Sequence, residues 1–247
     1  MSAQERRWCL FTSAGDKNAI RFWLDGAPER RWDLVIAYYG DSDQEFSAIS
    51  QASRHAFRIK GGKFQNLKKL VEQEPKLLDK YSLIWVCDDD IRMSAAQIDE
   101  AFAISEFFEF WIAQPAFLQE GKISHPAVTL FEAKDWDFRL VNFVEMTAPI
   151  FRRERLIQFL DVFDGSLTGW GIDYWYMNFF DANEFARFAV IDKVQVINPH
   201  DQEKGGREIR RLEPTVVRKA AWALVKERHG LVEYPAKVFA YCKIAGP

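Results

Sequence analysis

Residues 81–90 read YSLIWVCDDD, a continuous apolar run that ends in three adjacent aspartates. Such a run is typical of a strand that is buried on both faces within a parallel sheet. Shortly after it, Ser94 and Gln97 stand three positions apart, which is the capping-box signature of a helix start. The sequence therefore predicts that the three aspartates lie at the carboxyl end of a buried strand, just before a helix.

Strand and helix signals alternate along the first half of the chain, and both kinds recur in the second half. The predicted strands cover residues 7–12, 32–39, 55–59, 81–87, 127–131, 138–145 and 188–197. The predicted helices follow Gly62, begin at Ser94, and cover residues 153–163, 172–182 and 215–228. This alternation favours an α/β fold with a mostly parallel sheet. Because ligands bind beyond the carboxyl ends of the strands in such sheets, we expect the site at the edge that carries the aspartates.

The composition predicts one globular domain over residues 1–247, in which residues 205–247 form a C-terminal helical extension. Apolar residues make up 48% of the chain and charged residues 28%, which allows a large core under a solvated surface. The polar segment 201–213 contains two glycines and is expected to be a loop before the last helix.

Charge and cysteine content disfavour several classes of function. The net charge is -3 and there is no stripe of lysine and arginine suited to a phosphate backbone, so nucleic acid is not an expected partner. Three cysteines without CxxC spacing predict neither a disulfide framework nor a zinc site. Neither a signal peptide nor an apolar stretch of about 18 residues is recognisable. We therefore expect a cytoplasmic protein without an integral membrane segment.

The aspartate triplet is a candidate metal site. Adjacent carboxylates raise one another's pKa unless a cation neutralises them. Oxygen ligands suit Mg²⁺ or Mn²⁺, and these ions usually keep positions for the phosphates of a substrate. Asp88 and Asp90 are two residues apart and point to the same side of an extended segment, so they are the expected ligands. A solvated acidic turn at a helix start is the alternative.

A second candidate is the segment GWGID at residues 169–173, which stands at the start of a predicted helix. Asp173 is a candidate general base for an attacking hydroxyl, and Trp170 offers a flat apolar face for a sugar ring. The alternative is an acid that merely favours the first turn of a helix, beside a core tryptophan.

His200 is a candidate third metal ligand because it follows an apolar strand and the turn Asn198-Pro199. A neutral imidazole suits Mn²⁺ better than Mg²⁺. A single histidine in a loop is equally well explained as a surface residue.

Two loops carry candidates for binding a nucleotide or its phosphates. Lys60, Lys63 and Asn66 surround Gly61-Gly62, and glycines let backbone amides approach an anion. The segment from Ser13 to Asp16 follows the first strand and is a similar candidate. The sequence KGGK lacks the full P-loop pattern, so a nucleoside triphosphatase is not indicated, and a plain surface turn is the alternative.

The order of several motifs resembles the domain of unknown function 707 family. The motifs are IWVCDDDI at 84–91, AQPA at 113–116, FVEMTAPIF at 143–151, GWGID at 169–173 and VID at 190–192. The resemblance covers roughly residues 80–200, and that family in turn looks like the GT-A glycosyltransferases. It implies a three-layer α/β/α fold with a mostly parallel sheet, a nucleotide-sugar donor, and a divalent metal, Mn²⁺ or Mg²⁺.

The resemblance also implies roles for single residues. Asp88 and Asp90 match the Asp-x-Asp of GT-A enzymes, with Asp90 as the direct metal ligand and Asp88 nearer the ribose or a metal-bound water. GWGID is similar to the GWGGED-like segment of inverting galactosyltransferases, whose final acid deprotonates the acceptor, although Ile172 replaces an acid here. Gln114 and Glu145 match motif positions to which the resemblance assigns no role.

Three hypotheses follow from the sequence. The first is a metal-dependent, inverting glycosyltransferase that moves a sugar from a nucleotide-diphosphate sugar to the hydroxyl of an unknown glycan or small molecule. The second is a non-catalytic module that binds a glycan or a partner on the same scaffold. The third is a nucleotidyltransferase that uses the acidic strand end on a nucleoside triphosphate.

Overall fold

A computed structural model describes residues 7–26, 29–203 and 213–244 of the chain. Its strands are β1 (Trp8–Ala14), β2 (Trp32–Tyr38), β3 (His55–Arg58), β4 (Leu83–Asp88), β5 (Ile112–Phe117), β6 (Phe138–Val141), β7 (Ile150–Arg152), β8 (Phe188–Val196) and β9 (Val238–Cys242). Its helices are α1 (Ile20–Leu24), α2 (Asp43–Ala52), α3 (Lys63–Gln73), α4 (Ala95–Phe107), α5 (Pro126–Thr129), α6 (Arg153–Val162), α7 (Ile172–Phe179) and α8 (Thr215–His229). None of these helices is long and apolar enough to cross a membrane.

The strands form a single mixed sheet in the order β3-β2-β1-β4-β7-β5-β8-β6-β9. Strands β3, β2, β1 and β4 pair with one another in parallel, and β5 pairs with β8 in parallel. The short strand β7 runs antiparallel between β4 and β5, and β6 runs antiparallel between β8 and β9. The predicted mostly parallel sheet is therefore confirmed, with antiparallel strands confined to the half of the sheet after β4.

Helices cover both faces of the sheet because the central strands are apolar on both sides. In β4, Ile84 and Val86 pack into one core cluster, whereas Trp85 and Cys87 pack into the other. Helix α3 belongs to the first cluster and α4 to the second. The predicted three-layer arrangement follows from this alternation, which buries side chains above and below the same strand.

Local signals in the sequence explain where several helices begin and end. Helix α4 starts as predicted, since the Ser94 side chain accepts a hydrogen bond from the Gln97 N–H at 3.3 Å and the Gln97 side chain accepts one from the Ser94 N–H at 2.8 Å. Helix α8 ends at Gly230, which has a left-handed φ of 63°. Only glycine adopts this conformation without strain, so the end of the helix is fixed by that residue.

The structure corrects two predicted strands. Residues 127–129 of the predicted strand 127–131 belong to helix α5 instead, because Pro126 at the first turn favours a helix and cannot donate to a sheet. The predicted strand 138–145 ends at Val141, and the chain then enters the loop that carries Glu145.

The C-terminal extension is not purely helical. After α8 the chain returns to the sheet, and β9 pairs with β6 in antiparallel fashion as the edge strand. Residues 205–212 and 245–247 of this extension lie outside the described residues, as do residues 204–212 of the predicted loop 201–213.

A buried ion pair joins β6 to β8. The Arg139 guanidinium donates to both carboxylate oxygens of Asp192, at 2.9 and 2.7 Å, and both side chains are almost fully buried. Burial raises the pKa of Asp192, and Arg139 lowers it. Asp192, the acid of the VID motif, therefore stabilises the sheet.

Candidate active site

A cavity of about 1120 Å³ opens beyond the carboxyl ends of β1 and β4. The two strands end side by side, since Ser13 and Asp88 are direct partners in the parallel register. Side chains of the predicted site that line the cavity are Ser13, Lys63, Asp88, Asp90, Glu145, Trp170 and Asp173. The cavity thus lies at the predicted edge of the sheet, and five segments distant in sequence contribute to it.

Lys63 and Asp88 form an ion pair in the wall of the cavity. The Lys63 Nζ donates to Asp88 Oδ1 at 2.7 Å and to the Thr147 carbonyl oxygen at 2.8 Å. The Lys63 side chain is only 4% exposed. An ammonium group has three protons, so the two bonds leave one proton for a ligand in the cavity.

Gly62, directly before Lys63, lies so close to another loop that it has no room for a side chain. A Cβ on Gly62 would lie 3.0 Å from the carbonyl carbon of Thr168 and closer still to its oxygen. The start of α3 therefore packs against the loop that leads into the GWGID segment. This contact brings Lys63 and Asp173 to the same cavity.

The three aspartates have different surroundings. Asp89 is buried, and its carboxylate accepts a hydrogen bond from the Gly15 N–H at 2.8 Å. The Asp89 carbonyl oxygen also accepts from the Ala19 N–H at 2.6 Å. Asp89 thus positions the loop after β1, while Asp88 and Asp90 both line the cavity.

Asn66 holds the glycine turn and does not line the cavity. Its side-chain amide donates to Ser13 Oγ and to the Gly61 carbonyl oxygen, both at 3.0 Å. Ser13 is mostly buried and lines the cavity from the end of β1. Of these two predicted ligand contacts, only Ser13 is therefore in a position to meet a ligand directly.

Asp16 and Lys60 also lie outside the cavity lining, in contrast to the prediction. Asp16 accepts hydrogen bonds from the Tyr38 hydroxyl and from the Ser42 N–H, and the Tyr38 bond is the main cause that lowers the pKa of Asp16. Lys60 donates to Asp41 at 2.6 Å and to the Tyr39 carbonyl oxygen. Both charged groups are committed to the loop after β2.

Asp173 stands in the first turn of α7 and is 8% exposed. Its two oxygens accept from the Tyr174 N–H at 3.0 Å and from the Met146 N–H at 3.5 Å. Burial raises the pKa of Asp173, while His125 lowers it. A carboxylate with a raised pKa is a stronger proton acceptor than a free aspartate.

His125 is a residue of the cavity that the sequence did not reveal. It precedes Pro126 at the start of α5, just before the segment predicted as a strand. Burial lowers the pKa of His125, which favours the neutral imidazole, and Asp173 opposes this effect. The proline after His125 was the available signal in the sequence, because proline favours the first turn of a helix.

Gln114 positions the loop that carries Glu145. Gln114 is fully buried on β5, and its side-chain oxygen accepts a hydrogen bond from the Glu145 N–H at 2.6 Å. The Glu145 side chain is 2% exposed and lines the cavity. Burial raises the pKa of Glu145 to about 7.

Trp170 is an exposed aromatic residue of the site, with 46% of its surface accessible. It precedes Gly171, whose φ of 89° is left-handed and whose Cα packs against the ring of Trp222. The Lys219 ammonium lies 4.8 Å from the centre of the Trp170 ring. The tight glycine turn thus places an aromatic face at the mouth of the cavity.

The structure brings two of the three predicted metal ligands, Asp88 and Asp90, to the cavity, but not the third. His200 is exposed, lies outside the cavity lining, and donates its backbone N–H to Glu203 at 3.4 Å. Within residues 7–26, 29–203 and 213–244, no three histidine, cysteine, aspartate or glutamate side chains are grouped to hold a metal ion. One oxygen of Asp88 is bound to Lys63 and one oxygen of Asp89 to Gly15. The predicted divalent metal therefore stays a prediction, for which Asp88 and Asp90 are the acids at the cavity.

The fold is similar to that of solved proteins that bind nucleotide sugars. Residues 1–349 of TarS from S. aureus match with a TM-score of 0.57 and 13% identity over 90% of this chain and 71% of that chain. The same part of TarS in complex with UDP-GlcNAc matches with a TM-score of 0.56, 11% identity and coverages of 90% and 72%. GalNAc-T7 with UDP, GalNAc and Mn²⁺ matches with a TM-score of 0.61 and 10% identity over 89% of this chain and 48% of that chain.

At these identities the likeness establishes the fold, and it confirms the predicted GT-A-like α/β architecture. No family model matches the chain, and no curated protein matches its sequence. Membership in the domain of unknown function 707 family therefore stays a prediction.

Proposed function

We propose that the chain is an inverting glycosyltransferase that moves a sugar from a nucleotide-diphosphate sugar to an acceptor hydroxyl. The observation that carries the proposal is that a buried ammonium, Lys63, and a buried carboxylate, Asp173, line one cavity at the carboxyl edge of the sheet. The Lys63 ammonium can bind a diphosphate leaving group, and the Asp173 carboxylate can accept the proton of an attacking hydroxyl. The similarity to structures that hold UDP, UDP-GlcNAc or GalNAc supports the same choice of ligand.

Lys63 stabilises the departing diphosphate. Negative charge grows on the diphosphate oxygen as the bond to the anomeric carbon breaks. A buried ammonium acts on this charge more strongly than a solvated one because little water screens it. The bonds to Asp88 and Thr147 hold the ammonium in place, so it needs no reorganisation during the reaction.

Asp173 receives the proton of the acceptor. The acceptor oxygen forms a bond to the anomeric carbon while the bond from that carbon to the diphosphate oxygen breaks, and the electron pair leaves with the diphosphate. The hydroxyl proton passes to the Asp173 carboxylate. A single displacement of this kind inverts the anomeric centre, and the exposed face of Trp170 supplies an apolar platform for an acceptor ring.

The steps above use only side chains of this chain, and if a divalent metal binds, Asp88 and Asp90 would hold it and it would neutralise charge on the diphosphate. GalNAc-T7 was solved with Mn²⁺, and the sequence of this chain also predicts a metal. The requirement for a metal therefore needs a direct experiment. Donor binding is measured with EDTA, with Mg²⁺ and with Mn²⁺. Binding only in the presence of a metal would restore the original prediction for Asp88 and Asp90.

The proposal is tested with a panel of UDP and GDP sugars. Binding is measured by calorimetry, and release of nucleoside diphosphate is measured with mixed sugar and small-molecule acceptors. We expect binding of at least one donor, and we expect Asp173→Asn to lower turnover by about 10²-fold or more while donor affinity is kept. Asp161→Asn, at an exposed position of α6, is the matched control.

Three outcomes would reject the proposal. A folded protein that binds no member of the panel under any metal condition has another function. Release of pyrophosphate from a nucleoside triphosphate, without sugar transfer, identifies a nucleotidyltransferase. Glycan binding that Asp173→Asn leaves unchanged, without any turnover, identifies a binding module.

A further inference from the structure

Glu145 is a buried carboxylate with hydrogen-bonding capacity to spare. Burial raises its pKa, and the Thr147 side chain lies close enough to lower that pKa as a donor. Glu145 lies in the loop between β6 and β7, lines the cavity, and is 2% exposed. Among the described residues, neither of its oxygens makes a hydrogen bond of normal geometry. Burying such a group without partners is costly, so an arrangement of this kind calls for a ligand that supplies the missing donors.

The loop around Glu145 is fixed on both sides. Gln114, which is fully buried, accepts a hydrogen bond from the Glu145 N–H, and Asp173 accepts one from the N–H of Met146. The next residue, Thr147, receives the Lys63 ammonium on its carbonyl oxygen. The backbone is therefore tied to both reactive groups of the cavity, which holds the Glu145 carboxylate in place.

The charges around Glu145 show where it stands in the site. Burial is the main cause that raises its pKa, and the nearby Thr147 side chain lowers it. Asp173 and Asp88 raise the pKa further, and Lys63 lowers it. The charges that act on Glu145 are therefore Asp173, to which we assign the acceptor proton, and the pair Lys63 and Asp88, to which we assign the diphosphate. In a bound donor, the part that lies between the diphosphate and the acceptor is the transferred sugar.

We propose that Glu145 binds the transferred sugar by accepting hydrogen bonds from its hydroxyl groups. This inference rests on the proposed function, because it assumes a nucleotide-sugar donor. An ionised carboxylate has two oxygens and accepts from two neighbouring hydroxyls, which are the common donors on a sugar ring. A site built to bind a hydroxyl rejects an analogue that lacks it, since the buried acceptor is then left unpaired. Glu145 therefore selects the sugar, not the nucleotide.

The test separates the sugar contribution from the nucleotide contribution. Affinities are measured by calorimetry for the pairs UDP and UDP-GlcNAc, UDP and UDP-glucose, and GDP and GDP-mannose. For the pair that the wild-type protein binds, Glu145→Gln is expected to weaken the nucleotide sugar by about 10- to 100-fold and to leave the nucleoside diphosphate unchanged. Glu120→Gln, at an exposed position outside the cavity lining, is the matched control and should change neither affinity.

A deoxy donor distinguishes hydroxyl recognition from a general disturbance of the pocket. A donor that lacks the recognised hydroxyl should bind the wild-type protein and the Glu145→Gln protein with equal affinity. Equal loss of nucleotide and nucleotide sugar in the variant, or no loss of either, overturns the inference while the proposed function stands. If the wild-type protein binds none of the probes, the proposed function fails first and the inference falls with it.

Discussion

Replacing Glu145 by glutamine is expected to make the stability of the protein less dependent on pH. The carboxyl group has an ordinary pKa of 4.5, and burial raises it to about 7 in the folded protein. Glutamine has nearly the same shape but does not ionise. The substitution therefore removes the ionisation and leaves the packing of the loop almost unchanged.

The sign follows from the proton balance. At pH values between the two pKa values, the unfolded chain has lost the proton of Glu145 while the folded protein still holds it, so rising pH favours the unfolded chain. The loss of stability begins near pH 4.5 and is complete above about pH 7. At 1.36 kcal/mol per pKa unit, the difference of the two pKa values corresponds to roughly 3 kcal/mol.

The assay is urea denaturation from about pH 4 to about pH 8, followed by tryptophan fluorescence. The unfolding free energy of Glu145→Gln minus that of the wild-type protein should rise by roughly 3 kcal/mol over this range. Glu120→Gln removes the same charge at an exposed position and serves as the control. A difference that stays constant with pH would refute the raised pKa and the burial that causes it.

Three further substitutions test other contacts. Lys63→Met should weaken nucleoside diphosphate binding in EDTA by about 10-fold or more, as measured by calorimetry, whereas Lys63→Arg should keep part of the affinity. If Lys63→Met binds as tightly as the wild-type protein, Lys63 does not contact the ligand. Gly62→Ala should lower the unfolding free energy by about 1–3 kcal/mol because the methyl group meets the Thr168 backbone, whereas in Gly169→Ala the nearest atom is 3.8 Å away and the loss should be much smaller. Arg139→Leu should destabilise the protein by about 3–5 kcal/mol in the same denaturation assay, since Asp192 is left buried and charged, and Arg139→Leu with Asp192→Leu should recover much of that loss.

The parts of the fold that could be predicted are those determined by interactions between residues close together in the sequence. The apolar run 81–87, the capping pair Ser94 and Gln97, and the stop at Gly230 all act within a few residues, and each fixed its element as expected. The placement of Ser13 and Asp88 in one cavity was also accessible, because parallel strands bring their carboxyl ends to one edge.

The roles within the aspartate triplet depend on distant residues. Asp89 is bound by Gly15, which lies 74 positions earlier, and Asp88 is bound by Lys63, which lies 25 positions earlier. In the sequence pattern, the three carboxylates differ only in the side of the strand to which each one points. Their partners are chosen by how loops from other strands pack, and a single sequence carries no signal for that.

The positions of His125 and His200 both depend on a local turn of the chain. His125 lines the cavity directly before Pro126, which begins a helix that overlaps the predicted strand 127–131. His200 follows its strand as expected, yet the chain turns there so that Pro199 lines the cavity and His200 does not. In both cases one local turn decides which side chain reaches the site.

The contact between Gly62 and the Thr168 backbone has a further consequence for how this site is assembled. Lys63 and Asp173, to which we assign the donor and the acceptor, come from segments about a hundred residues apart, and the loops before them meet where Gly62 lies against the Thr168 backbone. The distance between these loops is therefore limited by contact of backbone with backbone. A residue larger than glycine at position 62 is expected to push the two loops apart and to widen the cavity between them.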